Sequence, residues 1–86
     1  MSTPDFSRQY FHELHNQQKQ HDYIYRIQTT VLNPTANEDW VAELTVTRGT
    51  FSETFKTQNP QKKKMYAKNE VAYYALQALG LDVANV

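Results

Sequence analysis

The sequence predicts an α+β fold in the order α-β-β-β-α, a three-stranded antiparallel sheet with both helices packed on one face. Two stretches, near the two ends of the chain, repeat apolar residues at three- and four-residue steps, the period of a half-buried helix. Three stretches between them are rich in Tyr, Ile, Val, Thr and Phe and alternate with period two, the pattern of half-buried strands. A sheet with a single apolar face needs one covering layer, and the two helices supply it.

The first helix is expected to begin near Thr3 and Pro4, since Thr is a good N-cap and Pro suits the first helical position. Phe6, Tyr10 and Leu14 form its apolar stripe with Phe11 beside them, while Gln9, Glu13, Asn16 and Gln17 lie largely off it. The polar run from Gln17 to Asp22 reads as the connection that follows. Strand one is predicted from Tyr23 to Leu32 and is ended by the turn formers of Asn33 to Asp39. Strand two runs from Trp40 to Thr47, with Trp40, Ala42, Leu44 and Val46 on one face. Arg48 and Gly49 supply a hairpin turn, and Thr50 to Lys56 form strand three, with Phe51 and Phe55 pointing the same way. The second helix lies within residues 62–80, with Val71, Ala72, Ala75, Leu76 and Leu79 as its core face and Gly80 as the left-handed residue that closes it.

The chain has 86 residues, enough for one small domain, with a core of about residues 4–80 and a short, partly apolar tail over 81–86. It has no cysteine, which removes a disulfide framework and any thiolate metal site. His12 and His15 share a helix face, but no cysteine or carboxylate set completes a zinc site, and no cofactor is expected. No apolar run has the length of a membrane span and the N-terminus lacks the regions of a secretion signal, so an intracellular protein, cytoplasmic or nuclear, with no membrane partner is expected. No nucleophile with an oriented base stands out, and an enzyme is not expected.

Nine basic and nine acidic residues give a formal net charge of zero, but their distribution is uneven. Residues 56–68 hold Lys56, Lys62, Lys63, Lys64 and Lys68 and no acid, a local field of one sign that can steer a polyanion. Lysines at a helix start oppose the macrodipole, whereas an anion docked there meets backbone N–H groups, dipole and ammonium groups together. The same lysines also suit a solvated loop.

Ala67-Lys68-Asn69, followed by Ala72 and by Ala75-Leu76, resembles the second helix of the double-stranded RNA-binding domain, and the resemblance covers roughly residues 10–79. Leu14 beside Glu13, and Pro34 six residues before Trp40, agree with it. The resemblance implies shape recognition of A-form duplex, across two minor grooves and the phosphates between them. It implies a phosphate clamp over Lys64, Met65, Tyr66, Ala67 and Lys68, with Lys62 and Lys63 just upstream. It also implies a minor-groove contact from Glu13, with Gln9, His12 and Gln17 as further candidates, and a second contact from the loop that holds Pro34. Two positions depart from the family: Met65 replaces its second lysine, and Asn33-Pro34-Thr35-Ala36 stands where it has Gly-Pro-x-His. A second function class stays open beside RNA binding, a protein-interaction module that dimerises or docks a partner through a helix face or the edge of strand three.

Overall fold

The computed structural model describes residues 4–81 and 83. It contains α1 (Tyr10–His21), β1 (Ile24–Asn33), β2 (Glu38–Arg48), β3 (Phe51–Lys56) and α2 (Lys64–Ala78). The three strands form one antiparallel sheet in the order β1-β2-β3, as the alternation predicts. The register sets Tyr25 and Ile27 of β1 opposite Val46 and Leu44 of β2, and Phe55 of β3 opposite Leu44. This is the apolar face, and α2 lies across it with Ala67, Val71, Ala72, Ala75 and Leu76 buried. The other face, with Arg26, Gln28, Thr45 and Thr54, faces solvent. The Thr45 and Thr54 hydroxyls hydrogen-bond across it at 2.9 Å.

Turns follow local chemistry. Gly49 has φ 60° at the first position of the two-residue β2–β3 loop, as a type II′ hairpin requires. Gly80 has φ 75° and closes α2 in a Schellman arrangement: its N–H donates to the Gln77 carbonyl and that of Leu81 to the Leu76 carbonyl. Leu81 and Val83 pack against the core, so part of the predicted tail belongs to the domain.

The first helix departs most from expectation. It starts at Tyr10, not near Pro4, and the expected Thr3 cap lies outside the described residues. The Asp5 carboxylate accepts from the Ser7 N–H at 3.0 Å and the Ser7 hydroxyl at 2.6 Å, which folds residues 5–8 into a turn. Those two bonds hold the Asp5 carboxyl below its ordinary pKa. Phe6 is therefore not part of a helical stripe, and instead packs edge-on against Tyr10, Tyr73 and Tyr74. At its other end α1 continues through the polar run that reads as a connection, to a left-handed Asp22 (φ 54°) whose N–H donates to the Gln18 carbonyl. Gln18 and His21 are half-buried there, and Lys19 and His21 complement the dipole of the last turn. Glu38 and Asp39, expected in the β1–β2 turn, open β2 instead, and the turn shrinks to residues 34–37.

Tyr23 locks the end of α1 to the sheet. It is 3% exposed and its hydroxyl donates to the Leu14 carbonyl. Burial, then the nearby Tyr25 and Glu13, push this hydroxyl from 10.0 up to about 12. The folded chain thus holds the proton more tightly than the unfolded one. The resulting stabilisation is complete below pH 10 and is lost as pH rises from 10 through about 12. Tyr23→Phe is expected to lower neutral-pH stability by about 1 kcal/mol and to flatten the alkaline fall in that window. Chemical denaturation at a series of pH values checks this, and equal slopes for both proteins would rule out Tyr23 as the source.

Candidate functional site

The lysines are presented by a rigid frame. The segment after β3 is tied to the start of β2, with Trp40 and Gln61 exchanging backbone hydrogen bonds of 2.7 and 2.8 Å and Thr57 N–H donating to the Ala42 carbonyl. It is also tied to α2 by Glu70, which is 2% exposed. One Glu70 oxygen accepts from the Gln58 N–H at 2.9 Å and the Tyr74 hydroxyl at 2.6 Å, and the other accepts from Gln61 Nε2 at 2.8 Å. Burial first, and then the bond to Glu70, raise the pKa of Tyr74 above its ordinary value. Among the described residues no buried side-chain polar atom lacks a partner. A buried carboxylate with its donors in place fixes the approach of the chain to α2.

Lys63 is the N-cap of α2, in an extended conformation (φ −127°, ψ 147°), and no side chain caps the helix. The first turn holds no acid. Among the described residues the one ion pair joins Lys56 to Glu43 at 3.9 Å, so no carboxylate neutralises Lys62, Lys63, Lys64 or Lys68. Three of the four lie over aromatic rings: Lys63 over Tyr66 at 5.4 Å, Lys64 over Trp40 at 5.7 Å and Lys68 over Phe11 at 4.3 Å. Such cation–π contacts, about 0.5–1 kcal/mol each at exposed sites, spread the ammonium groups over one end of the domain without neutralising them.

The β1–β2 loop reaches the same end. Trp40 Nε1 donates to the Asn37 carbonyl at 3.2 Å, and the Asn37 N–H donates to the Pro34 carbonyl at 3.3 Å. Pro34 and Ala36 are exposed at this turn. Trp40, half-buried, is thus the bridge between the loop and Lys64.

Helix α1 joins through Asn69, which is 1% exposed. Its Oδ1 accepts from the Phe11 N–H at 3.0 Å and its Nδ2 donates to the Phe6 carbonyl at 2.9 Å. An N–H of the first turn of α1, unpaired within its own helix, is therefore satisfied by a residue of α2. This contact places Gln9 and His12 beside the start of α2. Together with Ser7, Phe11, His15, Tyr25, Met65 and Asn69 they line a recess of about 570 Å³. Glu13 and Gln17 do not line it, and lie about 160° and about 120° around the helix from Phe11. The Gln17 amide donates to the Glu13 carboxylate at 2.7 Å. Lysines, loop and the Gln9–His12 edge of α1 are therefore linked by direct contacts, whereas Glu13, one turn beyond Gln9, and Gln17 lie outside the recess.

Asn69 and Glu70, which hold this frame, carry no mark of their role in composition. Their only signal is position: Asn69 is three residues from Ala72 and Glu70 three from Ala67, so both fall on the buried side of α2. Tyr73 and Tyr74 are both half-buried. Among the described residues no group of histidines and acids is arranged to hold a metal, and no helix is long and apolar enough to cross a membrane. Compared with known protein families, curated proteins and solved structures, the chain matches none of them.

Proposed function

We propose that this chain is a double-stranded RNA-binding module that recognises duplex shape with little sequence preference. One observation carries the proposal: an uncapped helix start with four lysines, none neutralised by a carboxylate among the described residues, held on a frame that also presents the β1–β2 loop and the edge of α1. Lys62, Lys63, Lys64 and Lys68 take phosphates of the major groove. Gln9 and His12, with Glu13 and Gln17 further round α1, take ribose hydroxyls in one minor groove, and the Pro34 turn approaches a second. A deep, narrow major groove admits no side chains, which leaves phosphates and the shallow minor groove as the readable features. Ala36 offers no side-chain hydrogen bond at its position in the loop, and affinity is modest.

The test is titration of an RNA duplex of about 16 base pairs at two salt concentrations, beside the DNA duplex of the same sequence. Binding to RNA in preference to DNA is expected. Its logarithm should fall with log salt at a slope near −3 to −4 if about four phosphates are engaged. Equal binding to both duplexes would reduce the lysines to a generic polyanion patch.

A second reading is favoured by a different observation. β3 is an edge strand, and Phe51 on it is 39% exposed although it points to the apolar side of the sheet. A protein partner or a second copy adding a strand there would cover it. A concentration-dependent mass without RNA binding at low salt would favour that reading.

A further inference from the structure

We propose that the recess between α1, β1 and the start of α2 takes a single unpaired nucleobase turned out of the duplex, so that the preferred RNA is a duplex interrupted by an unpaired nucleotide. This rests on the RNA-binding reading and adds a ligand class to it. A continuous duplex offers a protein phosphates, ribose hydroxyls and base edges, all polar, and has no group that fills an apolar recess. An unstacked base has a flat π face and a polar edge, and stacks on aromatic and apolar side chains with little dependence on its identity.

The recess has that chemistry. Phe11 and Tyr25, half-buried and edge-to-face at 5.7 Å, form its inner side, and exposed Met65 and His12 form its rim. Met65, 51% exposed, stands where a lysine would extend the clamp. It precedes Lys68 on α2 at three-residue spacing, so an apolar side chain adjoins that lysine. The His15 ring nitrogen Nδ1 and the Tyr25 hydroxyl, 2.7 Å apart, and exposed Gln9 provide hydrogen-bonding groups for a base edge. No carboxylate lines the recess among its described residues, and the Lys68 ammonium sits 4.3 Å from the Phe11 ring centre. An apolar slot with a cationic border is complementary to a base carried on its own phosphate. At about 570 Å³ and open to solvent, the recess admits a base without rearrangement of the core.

The experiment compares the full chain binding three RNA duplexes of equal paired length: fully paired and blunt, with one unpaired adenosine at the centre, and with short 3′ overhangs. The interrupted duplex is expected to bind roughly tenfold more tightly than the blunt one, the scale of one base stacked on protein. Met65→Ala and His15→Ala, both at exposed positions, should each erase most of that preference while leaving blunt-duplex affinity and melting temperature close to those of the parent. Equal affinity for interrupted and blunt duplexes would overturn the inference and leave the RNA-binding reading standing. A preference confined to the overhangs, or one that survives both substitutions, would also overturn it. Failure to bind any of the three would remove the reading on which it rests.

Discussion

Replacing Lys64 and Lys68 together by alanine is expected to weaken RNA-duplex binding by roughly 10- to 100-fold at low salt, and to make the salt slope shallower by about two. Both residues lie on one face of α2, four apart, with no carboxylate partner among the described residues. The double substitution therefore deletes two phosphate contacts without stranding a buried charge. Stability should change little. Each residue gives up one cation–π contact, with Trp40 or Phe11, offset in part by relief of lysine repulsion at the positive end of the helix dipole and by the higher helix propensity of alanine. The measurement is a pair of titrations at two salt concentrations with a thermal melt of each protein. Unchanged affinity in a folded variant would remove the clamp, and a collapsed melting temperature would reveal a structural role for the two lysines.

The largest effect on stability is expected from Glu70→Ala, about 3 kcal/mol. Glu70 is 2% exposed and its carboxylate accepts from Gln58, Gln61 and Tyr74. Truncation leaves the half-buried Gln61 and Tyr74 donors without an acceptor, each costing about 1–3 kcal/mol, and adds a cavity. Exposed Gln58 recovers part of this by turning to water. Glu70→Gln keeps the volume and one carbonyl acceptor, and should cost about 1 kcal/mol. Urea denaturation separates the two variants, with an unchanged m-value as the sign that the native state remains compact. Because Glu70 secures the segment that delivers Lys62 and Lys63, Glu70→Ala should also weaken RNA binding at temperatures where the variant is fully folded. A loss of stability with intact affinity would show that the lysines do not depend on this anchor for their placement.

Lys64→Ala/Lys68→Ala and Glu70→Ala thus act in opposite ways, the first on affinity without the fold and the second on the fold first and affinity through it. This contrast follows from where each charge sits. The lysines are solvated or lie on aromatic faces, where removing a charge costs little. Glu70 is enclosed, where its partners depend on it.

The sequence by itself determined the order α-β-β-β-α, the antiparallel sheet with one apolar face, the closing turn at Gly80 and the placement of the lysines at the start of α2. These are local properties: period two or period 3.6 fixes the state of a segment and the face it buries, and a glycine at a positive φ fixes a turn wherever the segment lies. The tertiary structure alone decided where α1 begins and ends, which polar groups enter the core, and what α1 faces. The start of α1 has no side-chain cap of its own and is completed by Asn69, 58 residues further along the chain from the Phe11 N–H it accepts. Its polar last turn is retained by packing and by Tyr23 on the Leu14 carbonyl, although its residues alone read as a connection. Glu70 falls on the buried side of α2 by spacing, but its three donors come together only when the β3–α2 segment folds over it. The recess of Phe11, Tyr25 and Met65 draws on three elements, so no single stretch contains its pattern. Helix ends and buried polar groups depend on partners distant in sequence, because an unpaired N–H or carboxylate is satisfied by whatever group the fold brings within hydrogen-bond reach.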